Sequence, residues 1–190
     1  MTARNIFPLL LLLMAITLGM GTFKEGYAAE PLPPISLIIP ENQEYRDYLG
    51  LKGTPGETFA LAEVDADILL IELFSMYCPY CQEEAPLVNE FHALARLQEE
   101  KGITIKLVGL GASNTQFEVD FFRDEYNIEF PLFPDKDLSF YKKLKGEGTP
   151  GFIGCLLRQG EDPVIVVRQT GGFDSAEEFL GLLLQRAGFR

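Results

Sequence analysis

Two cysteines three positions apart, Cys78 and Cys81 in the stretch "FSMYCPYCQEEAP", are the residues of this chain whose type and spacing could do chemistry. Such a pair can hold a metal, close a structural disulfide, or exchange electrons with another disulfide. Structural zinc takes four Cys or His ligands. Beyond the pair the chain offers only Cys155 and a single histidine, His92, so no metal site is expected. A disulfide across so short a loop constrains the unfolded chain little and therefore stabilises little. Thiol redox chemistry is the better account of the spacing. If a helix begins at the pair, its unpaired N–H groups and dipole stabilise an anion on the first sulfur. Thiolates in such positions have pKa values of about 3.5–7.5. Cys78 is thus the expected nucleophile, and Cys81, one turn further in and more shielded, the resolving thiol.

The flanking sequence supplies that geometry. "DILLIELF", Asp67 to Phe74, is a near-continuous apolar run of strand length, as in a strand buried on both faces. It ends just before the pair. From Cys81 to about Glu100 the residues Leu87, Val88, Phe91, Leu94 and Ala95 recur at helical spacing, with Gly102 as a C-cap. Ile103 to Gly111 reads as a second strand, and "TQFEVDFFRDEY" as a helix with Phe117, Phe121 and Phe122 on one stripe. "FPLFPD" is a short strand between prolines and "LSFYKKL" a short helix; "FIGCLL" and "VIVVRQTGG" then form a hairpin. A last helix has Asp174 or Ser175 as N-cap and Gly188 as its stop. Alternating strands and helices imply parallel pairing with right-handed crossovers, and the hairpin makes the sheet mixed.

The chain has 190 residues and a net charge of −12. Arg4 followed by the apolar run Ile6 to Met20 reads as an export signal over residues 1–29, with cleavage near Gly26 to Ala29 or retention as an uncleaved membrane anchor. Residues 30–58, including the proline-rich "PLPPISLIIP", are expected as an extended lead-in, a linker entering a single domain at 59–190. The acidic balance argues against nucleic acid and anionic lipid as charge-driven partners. Export also implies an oxidising compartment, where a thiol pair needs a reason.

"LIELFSMYCPYCQEEAP" resembles the thioredoxin-superfamily active site: an apolar strand, an aromatic before the first cysteine, C-P-x-C, and a proline five residues after the second, matched by Tyr77, Cys78, Cys81 and Pro86. The usual tryptophan before the first cysteine is absent. The resemblance implies a thioredoxin-like three-layer α/β/α sandwich with a mixed central sheet. It implies a cis peptide bond at Thr149–Pro150, facing the dithiol and offering the Thr149 backbone to an incoming peptide. An extra helix and strand, approximately Thr115 to Pro134, precede that proline, as in the exported branch similar to TlpA, ResA and the cytochrome c maturation thioredoxins. Tyr77, Pro79 and Tyr80 then line the substrate side. Glu72 takes the place of a buried aspartate in the cytoplasmic thioredoxins, where desolvation would raise its pKa and suit it to relay the Cys81 proton; a half-exposed ion-paired residue is the blander reading.

The implied activity is extracytoplasmic (periplasmic) protein thiol:disulfide exchange, in the reducing direction, as in cytochrome c maturation. Its partners would be protein thiols or disulfides and a membrane thiol donor or acceptor, and no organic cofactor is implied beyond the Cys78–Cys81 disulfide itself. Two other classes stay open: a peroxiredoxin-like thiol peroxidase, though "ELFSMYC" lacks that family's Pro and Thr before the cysteine, and a copper-binding metallochaperone. Of the remaining residues, Cys155 alternates with Ile153 and Leu157 as a core thiol, with a regulatory or intermolecular thiol as the alternative. His92 is expected at the solvent boundary, and Glu83 and Glu84 are expected to complement the helix dipole.

Overall fold

The computed structural model describes residues 30–158 and 160–189, and the expected export signal lies outside them. In chain order the elements are β1 (Glu30–Pro31), β2 (Ser36–Ile38), α1 (Gln43–Leu49), β3 (Thr58–Ala60), β4 (Ile68–Phe74), α2 (Pro79–Arg96), β5 (Ile105–Ala112), α3 (Gln116–Tyr126), β6 (Leu132–Asp135), α4 (Ser139–Lys143), β7 (Gly151–Leu156), β8 (Val164–Thr170) and α5 (Ala176–Ala187). Six strands form one mixed sheet in the order β1-β8-β7-β4-β5-β6. Strand β4 lies inside it, parallel to β5 and antiparallel to β7, and all seven of its residues are buried. The apolar run before the cysteines is therefore a central strand with both faces covered.

Successive side chains of a strand point to opposite faces, and β4 divides the core accordingly. Ile68, Leu70 and Phe74 pack with Val88 and Phe91 of α2, Phe122 of α3 and Leu183 of α5. Leu69, Ile71 and Leu73 pack on the other face with Ile35, Leu37, Leu49 and Phe59. The arrangement is a three-layer α/β/α sandwich. Glu72 is in register with Leu70 and Phe74, so its carboxyl is sent into the layer that holds α2 and Cys81.

Several expectations are corrected. The proline-rich segment is extended, but it is no linker. Glu30 and Pro31 pair with β8, Ser36–Ile38 pair with β3, and Ile35, Leu37 and Ile39 are buried. Its alternation of apolar and exposed residues closes the second face of the sheet. Helix α1 follows, unread in the sequence; Asn42 caps it by accepting from the Glu44 N–H at 2.8 Å, and Gly50 ends it in a left-handed conformation.

Helix α2 stops at Arg96, and a separate 3-10 turn, Glu99–Lys101, carries the chain to Gly102. The phenylalanines of α3 do not share a face: Phe122 is buried with Val119, while Phe117 is 76% and Phe121 49% exposed. At about 100° per residue Phe122 lies some 140° round from Phe117, and a helix on the edge of the sandwich has one buried side.

His92 is only 4% exposed, between the rings of Tyr48 (5.8 Å) and Phe130 (5.5 Å). The α1 segment and the stretch before β6 supply the cover that α2 by itself does not reveal. Burial, opposed by Glu129, lowers the His92 pKa to about 4.

Candidate active site

The β4 strand delivers the chain to a tight turn at Ser75 to Tyr77, and α2 begins at once. Cys78 is the N-cap of α2: its Sγ accepts from the Cys81 N–H at 3.4 Å, and Pro79 occupies the first helical position, where no N–H is needed. Both cysteines are free thiols; Cys78 is half-buried and Cys81 fully buried. The first sulfur meets solvent and the second is sealed behind it.

Their acidities diverge for that reason. Burial would raise the Cys78 thiol, but hydrogen bonds from the Thr149 and Cys81 side chains and the Cys81 and Tyr80 backbone outweigh it, and its pKa falls below the ordinary value. The Cys78 thiol also donates to the Thr149 carbonyl at 3.2 Å. That contact belongs to the protonated form and ends on ionisation, whereas the donors remain. Cys81 is pushed strongly upward, first by burial, then by its hydrogen bond to Cys78, with the charge of Glu72 adding to the effect.

The Thr149–Pro150 bond is cis. Pro150 is buried at the head of β7, its carbonyl accepts from Gly171 N–H at 2.8 Å, and Thr149 is half-buried facing Cys78. Tyr77, Pro79 and Tyr80 are exposed around the sulfur, the two tyrosines at 65% and 71%.

Glu72 is buried to 2% exposure, and its Oε2 has no hydrogen-bond partner among the described residues. Desolvation, reinforced by the charge of Glu84, raises its pKa to about 8. The blander reading of Glu72 as a half-exposed ion-paired residue therefore fails.

Like Glu83, Glu84 does not serve the helix dipole, since no acidic residue lies in the first turn of α2. Its carboxylate accepts from the Phe173 N–H at 2.8 Å and occupies the space above Gly172 that a Cβ would fill. Phe173 is stacked on Phe179 at 4.6 Å, so Glu84 pins α2 to the turn before α5. Burial raises its pKa, opposed by the Phe173 N–H.

Three residues that hold the turn went unread in the sequence. Asn114 is fully buried; its Oδ1 accepts from the Met76 N–H at 2.9 Å and its amide donates to Ser75 Oγ at 3.4 Å. Gln82 donates to the Met76 carbonyl at 2.7 Å. Glu118, in the capping box of α3, accepts from Thr115 N–H and Oγ at 2.6 and 2.7 Å and receives the Tyr77 hydroxyl. Asn and Glu beside an N-cap threonine would be the only local signal.

Cys155 lies on the opposite face of the sheet from Cys81, and burial pushes its thiol up to about 12. It is remote from the pair. No group of three or more His, Cys, Asp or Glu among the described residues is placed to hold a metal ion.

What the arrangement can do is attack a sulfur with Cys78 and resolve the product with Cys81. Comparisons with known proteins agree with thiol–disulfide chemistry as the class of activity. The family model described as Redoxin matches residues 28–153. The thiol-disulfide oxidoreductase ResA of Halalkalibacterium halodurans is 27% identical over 139 residues, which cover 72% of this chain and 74% of the relative. Among solved structures, StoA from Bacillus subtilis superposes with a TM-score of 0.55 at 18% identity, covering 80% of this chain and 98% of that one. A secreted Mycobacterium tuberculosis disulfide oxidoreductase homologous to Escherichia coli DsbE gives 0.52 at 20% identity, covering 73% and 98%. The structural likenesses concern the fold.

Proposed function

Since the chain belongs to the Redoxin family and is a protein thiol:disulfide oxidoreductase of the thioredoxin superfamily, we propose that it works outside the cytoplasm as a reductant of protein disulfides, in a process such as cytochrome c maturation. The observation that carries the exchange chemistry is the asymmetry of the pair: Cys78 accessible, acidified and facing the Thr149 carbonyl, Cys81 sealed and poorly acidic; the reducing direction follows the resemblance to the exported thioredoxins. The apolar, signal-like segment at 1–29 supports export.

In the reducing direction the Cys78 thiolate attacks one sulfur of a substrate disulfide. A mixed disulfide forms, and the other substrate sulfur leaves as a thiolate and takes up a proton. Cys81 then loses its proton and attacks Cys78 Sγ, which expels the second substrate sulfur. Two electrons have passed to the substrate, and a Cys78–Cys81 disulfide remains for a membrane thiol donor to reduce.

Cys81 is a poor acid where it sits, so its proton needs an acceptor. Glu72 fits: it shares the sheet face with Cys81, and although a carboxyl of pKa about 8 holds its proton in most molecules at pH 7, the roughly one in ten that is ionised is a base strong enough to take the Cys81 proton. Only one negative charge then exists in the buried layer at a time. Thr149 and Pro150 supply an extended backbone for the substrate strand, and Tyr77, Pro79 and Tyr80 the surface beside it.

The test is to replace Cys81 with Ser in the source cell and isolate mixed disulfides on Cys78. Trapped exported proteins with cysteine pairs support the reading. An empty trap, with a purified dithiol that reduces and oxidises no test disulfide, overturns it. Equilibration with glutathione fixes direction: a potential near about −270 mV fits a reductant, and one near about −120 mV an oxidant.

A further inference from the structure

All of the exposed large aromatic side chains among the described residues fall in one region. They are Tyr77 and Tyr80 beside the dithiol and Phe117 and Phe121 on the first turns of α3; the other exposed large apolar residues are the aliphatic Ile38, Leu97 and Leu182. The two groups of aromatics are joined by the hydrogen bond from the Tyr77 hydroxyl to Glu118. Phe121 lies about 60° round the helix from Glu118, on the side adjoining that contact. Phe117 and Phe121 line a shallow cavity of about 310 Å³ together with Asp120, Asp124 and Glu125.

The surface is also held rigid. Glu118 is fixed by Thr115 in the α3 cap, and Asn114 ties the α3 approach to the backbone of Met76. Exposed phenylalanines on a soluble face cost solvation unless they are covered in use, and contiguous apolar surface of this kind marks interaction sites. The charge around them narrows the occupant. Asp120, Asp124 and Glu125 line the cavity and Glu83 is exposed on α2; Arg123 pairs with both aspartates and offsets one of their charges, and Lys136 acts on Glu118, so the patch keeps its negative charge chiefly through Glu125, Glu83 and the remaining aspartate charge. A carboxylate rim on aromatic faces favours ammonium and guanidinium groups through both charge and cation–π attraction.

From this we infer that α3 extends the substrate site: Phe117 and Phe121, with the carboxylates beside them, dock a basic, apolar segment of the polypeptide that carries the target cysteines. The inference rests on the disulfide-exchange reading and adds the class of substrate, a segment with Lys or Arg next to a large apolar side chain. The substrate strand passes Thr149 and Cys78, and its continuation crosses Tyr77 to the α3 ridge.

Two measurements separate this inference from the reading it rests on. The first is the rate of reduction of a disulfide peptide flanked by Lys-Leu-Lys, against its Glu-Leu-Glu counterpart and against a small disulfide with no flanks. The basic peptide should react about tenfold faster than the acidic one at low salt, and less so at high salt. In the double variant Phe117→Ser, Phe121→Ser the ratio of basic-peptide rate to small-disulfide rate should fall about tenfold, with KM carrying the change.

The second is binding of the basic peptide, its cysteines replaced by serine, to the Cys78→Ser protein by fluorescence anisotropy. This readout requires no exchange chemistry. Binding weakened about tenfold by the two phenylalanine substitutions supports the docking face. Equal affinity for basic and acidic peptides, or affinity indifferent to those substitutions, overturns it even if exchange is fast. Phenylalanine-dependent sedimentation with phosphatidylcholine vesicles and no peptide effect would assign the ridge to a membrane and overturn it likewise. A protein that binds the serine peptide but reduces no disulfide would instead refute the exchange reading.

Discussion

Replacing Glu72 with Gln tests the buried carboxylate through stability as well as catalysis. Glu72 titrates near 8 in the folded protein against 4.5 for an unperturbed glutamate. Between those values the folded chain keeps a proton that the unfolded chain has released. Stability therefore falls as pH rises from 4.5 to about 8 and then levels off. The cost is about 3 kcal/mol at pH 7 and about 5 kcal/mol above pH 9, from 1.36 kcal/mol per pKa unit. Glutamine does not ionise, so Glu72→Gln removes this slope, while its amide adds a buried donor worth about 1–3 kcal/mol if unpaired.

The two proteins should therefore differ little or slightly favour wild type near pH 4, and the variant should gain steadily with pH. Urea denaturation of both reduced proteins from pH 4 to 9 measures this. In single-turnover exchange the same variant should slow release of the mixed disulfide about a hundredfold, within the usual range for a lost proton acceptor, while the first attack by Cys78 is little changed. Parallel stability curves across that pH range would refute a raised Glu72 pKa. An unchanged release step would refute its role in taking the Cys81 proton.

Alkylation by iodoacetamide at pH 7, followed by mass spectrometry, should label Cys78 well before Cys81 and Cys155, because burial raises the latter two and only Cys78 is lowered. Asn114→Ala should cost about 1–3 kcal/mol in chemical denaturation by leaving the Met76 N–H without its acceptor, and should slow exchange by loosening the turn. His92 has the opposite pH sign to Glu72: its folded pKa is lowered to about 4 from 6.5, so its contribution is complete above pH 6.5 and is lost as pH falls toward 4, about 3 kcal/mol in all. His92→Phe should flatten that acid limb in urea titrations between pH 7 and 4.

Much of the site could be read locally. The strand before the cysteines announces itself by an unbroken apolar run, and the helix after them by spacing. Glu72 stands out because it is the single charged residue in the otherwise apolar strand Ile68–Phe74. The acidity order of the two thiols follows from which one caps the helix. Other parts were invisible for a common reason. Met76 meets Asn114 across 38 positions, Tyr77 meets Glu118 across 41, and Phe173 meets Glu84 across 89. None of these partners carries a local sign of the other.

The same distinction explains the corrected expectations. Local pattern suggested that His92 would lie at the solvent boundary and that three phenylalanines of α3 would share one stripe. Which side of a helix is covered depends on what the rest of the chain lays over it, and here α1 and the approach to β6 cover His92 while nothing in the described chain covers Phe117. The proline-rich segment was legible as extended, but its place in the core depended on pairing with β3 and β8. Backbone preference and hydrophobic period are properties of neighbouring residues, so the sequence by itself determined most elements from β4 onward, the dithiol and its polarity. Burial, charge coupling and the docking face arise from contacts between residues far apart in the chain, and only the tertiary structure decided them.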